Sequence, residues 1–452
     1  MTKENFSKYI FFTISVGTIY ILIYNIFHYT PILGYDGEAH FAYVDHLARY
    51  LPRQFNLPTE VDTREFFNPP LAYIIPSFAQ VICRNFIESD NFLRDCQPIY
   101  GKATQIFQSL LYILTIIINL YVLKIFNHSK TFINASYLLL FSLLAVNYRT
   151  ISMIRGEPYI LFFLSLFLLI IVKNEKNNFR TNTKTILFTS LIIAGIALSR
   201  QWGFLLFLPI IYITFFMKSE MFRNHLKFWM SSALGGALLS SWFYLSLFNR
   251  YGTFTKFNVE SPGFSFSNQS VDFYIPNIEQ LNFLFFKPIR PYLNNQFITT
   301  LYADLWGDYW GYFSFTSRFL DIGRNQLAMG DYFAIVNILS IFTTLAFVLF
   351  CYLTYKKFKE SYLIKYLMLG IFFSFFGYLF FTISFPNPSG DTIKSTYIVQ
   401  LFSLIVFTSS IYFEKLKIVN INIYNFLLFV FTFIYFHNFQ TFLSHFPLNY
   451  YP

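Results

Sequence analysis

The stretch Gly34-Tyr35-Asp36-Gly37-Glu38-Ala39-His40-Phe41 gathers two acids and a histidine directly after the first long apolar run of the chain. Acids near hydrocarbon are costly and usually kept for work, and a carboxylate there is suited to taking a proton from a hydroxyl, because partial burial raises its basicity. Asp36 and His40 stand four apart, so on a helix they share one face, while Phe41, Val44, Leu47, Ala48 and Leu51 form an apolar stripe on another. Such a helix would lie flat in the membrane interface. Asp36 also reads as a helix N-cap, and Asn68-Pro69 as a second cap with proline at the first helical position. The capping and chemical roles are compatible.

Basic residues that could hold an anion on the same side are few. Arg155 and Glu157 occupy the short turn Met153-Ile154-Arg155-Gly156-Glu157-Pro158, Arg200 stands between two apolar runs, and Lys394 opens a late one. Each could instead snorkel to lipid headgroups. Basic residues in very short outer turns nevertheless run against the usual bias unless something anionic is held there. The segment Tyr302 to Phe313 adds Asp304 and Asp308, spaced for one helical face, among aromatic rings that suit either a sugar or an interfacial belt. A working site requires Asp36, Arg155, Arg200 and Lys394 to converge on one cavity, whereas snorkelling side chains would splay.

These residues must be positioned by a membrane protein. The chain has 452 residues, 55% hydrophobic and only 12% charged, far from soluble averages. Apolar runs fall at about 8–29, 104–126, 131–147, 157–172, 185–199, 201–217, 227–248, 333–355, 362–384, 394–413 and 422–440. An all-α polytopic fold with about eleven spans is expected, a single domain over 1–452, since backbone groups in lipid must be satisfied within each segment. Two amphipathic helices near 38–50 and 69–82 are expected in a first outer loop, 30–103; a second long outer loop covers 249–332. Lys and Arg collect in the alternate short connections, for example Lys173, Lys176, Arg180 and Lys184, which puts the N-terminus in the cytoplasm and the acidic stretch outside. The net charge of +10 is a topology signal rather than a nucleic-acid patch.

Asp36, His40 and Phe41, followed by Asn68, Pro69, Pro70, Leu71 and Tyr73, resemble the first outer loop of GT-C type glycosyltransferases, the polytopic enzymes that use polyprenyl-phosphate sugars and include protein mannosyltransferase-like and aminoarabinose-transferase-like proteins. The family's second acid is Gly37 here, with Glu38 one place later. Lys394 and Tyr397 look like the Lys-x-x-Tyr that begins a late span in several relatives, and Arg155 and Glu157 fall where the family often keeps a polar pair. The resemblance implies a single inverting displacement in a bacterial plasma membrane: Asp36 as base, assisted by Glu38 or His40, and Arg155, Arg200, Lys394 and Tyr397 on the donor phosphate. Glu157, Asp304 and Asp308 would be an acceptor or second acidic site, and the acceptor a lipid, glycan or protein.

Other classes stay open. A polymerase or ligase using diphosphate-linked glycans would share the outer site, although 249–332 has no histidine. A secondary transporter would need a repeat that is not visible. No His/Asp/Glu spacing specifies a metal; Asp36 and Glu157 are the pair a divalent cation would use. Cys83 and Cys96 share the first outer loop and could be bonded or free, while Cys351 should be a packed thiol.

Overall fold

A computed structural model describes residues 3–87, 92–127, 132–216, 222–314 and 322–444, and among these there is helix but no strand. The helices are α1 (Lys3–His28), α2 (Gly37–Tyr50), α3 (Leu71–Phe86), α4 (Phe92–Phe126), α5 (Ala135–Ser142), α6 (Ala145–Ser152), α7 (Glu157–Lys176), α8 (Thr183–Ser199), α9 (Leu208–Phe216), α10 (Phe222–Tyr251), α11 (Val271–Tyr274), α12 (Ile278–Leu284), α13 (Phe297–Trp306), α14 (Ile322–Phe358), α15 (Tyr362–Ser384), α16 (Val399–Val419) and α17 (Ile421–His437). Seven segments among the described residues are long and apolar enough to cross a membrane: Asn5–His28, Asp95–Phe126, Glu157–Lys176, Met329–Phe358, Tyr362–Ser384, Ser395–Val419 and Ile421–Phe442. The chain is a multi-pass membrane protein by that measure.

The difference from about eleven has local causes. The run at 131–147 is a broken pair, α5 and α6, parted at Leu143 and Leu144 so that Arg149 enters the protein interior. Thr183–Ser199 and Gln201–Phe216 are apolar but short, and serines and glycines dilute the apolar character of α10. Small residues there permit close packing on α8, where the Ser190 hydroxyl reaches the Ser232 carbonyl at 3.1 Å.

The two amphipathic helices expected near 38–50 and 69–82 are present as α2 and α3. Tyr43 of α2 stacks on Tyr73 of α3, centroids 3.9 Å apart. A Cys83–Cys96 disulfide, Cα atoms 5.9 Å apart, ties α3 to α4. Cys351 is a buried free thiol. The Tyr302 to Phe313 segment is neither belt nor exposed platform: Trp306, Tyr309, Trp310 and Phe313 are buried in the main core.

Candidate functional site

Asp36 takes a left-handed conformation, φ 53°, one residue before α2, and its carboxylate caps no backbone amide. The turn is tight at Gly37, where an added Cβ would overlap the Ile32 carbonyl. The Asp36 carboxylate points instead across the loop. Arg64 Nη2 donates to Oδ1 at 2.6 Å, and Lys394 Nζ stands 3.8 Å from Oδ2.

Arg200 is delivered by the end of α8. Gly156 lies so close to the Ser199 carbonyl that no side chain would fit, which presses the 155–157 turn against Arg200. Arg200 Nε donates to Glu157 Oε1 at 2.8 Å, and its Nη1 donates to Asn68 Oδ1. Asn68 in turn donates to Glu65. Asn68 is therefore a bridge between a cation and an acid rather than the expected cap; α3 starts later, at Leu71, after Pro70.

Lys394 is 3% exposed, paired at 3.1 Å with Asp391 and faced by the rings of Tyr35, Trp310 and Tyr397. Burial of this kind excludes snorkelling for it, and Arg155 and Arg200 are likewise buried. Three cations surround the Tyr397 ring, with Lys394 Nζ at 5.6 Å from its centre and the guanidinium carbons of Arg155 and Arg200 each at 5.8 Å.

Asp36, Arg200, Lys394 and Tyr397 meet in a cavity of about 270 Å³. Asp36, Arg64, Glu65, Asn68, Arg200, Asp391, Lys394 and Tyr397 give it a polar side, and Trp202, Phe257, Phe381 and Phe385 an aromatic one. Trp202 meets Phe381 edge-on at 4.4 Å. Beside it lies an apolar groove of about 700 Å³ between α8, α9 and α10. One 3₁₀ segment, Gln201–Leu206, serves both: Gln201 and Trp202 line the polar cavity and Phe204 the groove.

Charge distinguishes two of the cavity acids, Asp36 and Glu65. Burial pushes the Asp36 carboxyl up, but Lys394, Arg155, Arg64 and Arg200 outweigh it and hold the group below its ordinary range. This corrects the expectation that partial burial makes Asp36 more basic. Glu65 moves the other way, raised by burial and by Asp36 against the pull of Arg200 and Arg155. Glu65 is the carboxylate with the more basic setting.

Not every expected residue faces the cavity. Arg155 reaches it only through the Tyr397 ring; its Nη2 donates to the Tyr35 carbonyl at 3.0 Å. Glu38 is exposed and does not line it, because two residues on, roughly half a helical turn, its side chain faces the other way from Asp36. His40 is buried beneath, its Nδ1 2.7 Å from the Tyr73 hydroxyl, and burial followed by the charges of Arg155 and Arg200 keeps the ring neutral. Glu157 is committed to Arg200. Asp304 and Asp308 are buried around Arg149, which lies 3.1 Å and 3.6 Å from them. They form no acceptor site: Asp304 accepts from the Ser395 amide at 2.7 Å, fixing the residue beside Lys394, and Asp308 accepts from the Phe313 and Ser314 amides.

Sequence reading missed Arg64 and Glu65, which sit in a loop without periodicity, as well as Arg149, Trp202 and Asp391. Two charges directly before Phe66-Phe67-Asn68-Pro69 were the available signal. Asp36 and Glu157 each hold a cation, and among the described residues no group of three His, Cys, Asp or Glu could hold a metal ion. In comparison with known proteins, no family model matches this chain and no curated protein matches it, so the site stands on its own residues.

Proposed function

We propose that this protein is a membrane glycosyltransferase that moves a sugar from a polyprenyl-phosphate donor to a lipid, glycan or protein hydroxyl at the outer face of a bacterial plasma membrane. The observation that carries the reading is the convergence of Asp36, Arg200, and the neighbours Lys394 and Tyr397, from three distant segments, on one cavity beside an apolar groove. In this reading the seven long spans are joined by α5 with α6, α8, α9 and α10 to make about eleven crossings, with the N-terminus inside.

The chemistry follows from the charges. Lys394 and Arg200 hold the donor phosphate and stabilise it as it leaves, through donors already fixed in place. The acceptor oxygen attacks the anomeric carbon from the opposite side, the carbon–phosphate oxygen bond breaks, and the acceptor proton passes to a carboxylate. Asp36 is that carboxylate. Its low proton affinity is set by Lys394, Arg155, Arg64 and Arg200, and the negative charge of a bound phosphate offsets them, so basicity rises when donor binds. Glu65, also on the cavity wall and held by Asn68, is a second carboxylate able to take the proton.

Size supports the assignment. About 270 Å³ is close to the lower end of the ~300–1,000 Å³ typical of ligand sites, enough for one sugar and its phosphate. Trp202 and Phe381 offer faces for the sugar, and the groove suits a prenyl chain. The test is to purify the protein in nanodiscs, extract the bound lipids and identify them by mass spectrometry, then supply the lipid found with candidate acceptors. A polyprenyl-phosphate sugar that is consumed supports the reading; a diphosphate-linked glycan, or no transfer, removes it.

A further inference from the structure

The second outer loop carries an apolar surface that the cavity does not use. Phe266, Val271, Ile275, Ile278 and Phe286 are all largely exposed, Ile278 at 78% and Val271 at 76%. Scattered apolar residues on a surface are ordinary, but a contiguous set of large ones marks an interaction. The same segment turns Phe273 and Leu284 inward to the core, so the outward set belongs to the other face of a packed element.

The height of this surface along the bundle is fixed by hydrogen bonds. Ser261, Asn268 and Gln269 donate to the carbonyls of Ser384, Ile383 and Thr382, at 2.5, 3.1 and 2.7 Å, and so close the last turn of α15. Below them, α15 exposes Phe372, Phe376 and Phe380 at a spacing of four, one stripe along an apolar crossing helix. Phe264 stacks flat on Phe380, centroids 4.8 Å apart and planes within 9°. The Tyr274 hydroxyl reaches the Phe266 carbonyl at 2.9 Å, carrying the surface on to α11. The apolar face of the loop therefore continues the lipid-facing stripe of α15 without a break.

We infer that residues 264–286 are seated in the outer leaflet of the membrane, with Phe266, Val271, Ile275 and Ile278 among the upper acyl chains. Asp272 and Glu279, exposed on the same segment, and Glu260, exposed just before it, face the headgroups and water. Phe257 and Val259, just before it, line the polar cavity, so the rim of that cavity lies at the lipid surface. This inference does not rest on the glycosyltransferase reading and stands or falls separately.

The test uses the full chain in phosphatidylethanolamine and phosphatidylglycerol liposomes, with Cys351→Ser as background. Spin labels at Phe266→Cys, Val271→Cys and Ile278→Cys are compared with labels at Glu260→Cys, Asp272→Cys and Glu279→Cys, all exposed positions that leave the core intact. Collision with oxygen relative to a water-soluble nickel chelate should be several-fold higher for the apolar set. Equal nickel access at both sets would overturn the inference in favour of a solvated loop. Shielding of the apolar set from both reagents would overturn it in favour of a protein partner.

Discussion

Lys394 Nζ stands 3.8 Å from Oδ2 of Asp36, although one residue precedes a late crossing helix and the other follows the first. A cation and an acid so placed compete for the same visitors: an anion draws Lys394 away, and a hydroxyl needs Asp36 free. Both are held in check, Lys394 with Asp391 and Asp36 with Arg64.

Glu157 is the buried counter-ion of Arg200, and removing it leaves a guanidinium uncompensated. Glu157→Ala should lower stability by about 3–5 kcal/mol. Thermal unfolding in detergent checks this, and Glu157→Gln with Arg200→Met should recover much of the loss. An unchanged midpoint for Glu157→Ala would show that the pair is not buried as described.

His40 gives a pH dependence. Its folded value lies well below the ordinary 6.5, so below that pH the unfolded chain binds a proton that the folded chain refuses. Stability tied to His40 is thus present near neutrality and lost as pH falls from about 6.5 toward the folded value. The midpoint should drop on going from about pH 7.5 to about pH 5.5, and His40→Gln should flatten part of that drop. Identical profiles would mean that His40 titrates normally.

Gly37→Ala should open the turn at Asp36, since the added Cβ overlaps the Ile32 carbonyl. A loss of about 1–3 kcal/mol is expected for such overpacking. Gly37→Glu should not act as a replacement acid, and a fully active Gly37→Glu variant would refute the turn geometry.

Reduction of the Cys83–Cys96 bond, which spans 13 residues, should cost about 3 kcal/mol by the loop-closure account. Activity at low temperature should persist, because the bond lies on the α3–α4 side and does not line the polar cavity. Unfolding curves with and without reductant, beside a transfer assay, separate the two effects.

How much was legible varies with the physical signal. Helix class, the two amphipathic helices and the segments bearing Asp36, Arg200 and Lys394 follow from hydrophobic periodicity and from charges where charges are costly. The broken helix at Leu143 was not legible, because its apolar run continues across the break and only the burial of Arg149 explains it. Glu65 was hidden for the opposite reason: a loop position has no period, and its setting depends on Asn68 and Arg200 arriving from elsewhere. Asp304 and Asp308 were visible as a pair, but only packing shows that they serve Arg149 and Ser395 rather than the cavity.

The central claim is that Asp36 acts on the reaction while Lys394 holds the donor. The most direct measurement is single-turnover transfer from donor-loaded protein in nanodiscs, with donor occupancy counted in the same samples for the parent chain, Asp36→Asn and Lys394→Met. The account predicts that Asp36→Asn retains its donor but transfers at least about 10²-fold more slowly, and that Lys394→Met loses the donor itself. Asp36→Asn transferring at the parent rate, or Lys394→Met binding donor unchanged, would contradict it.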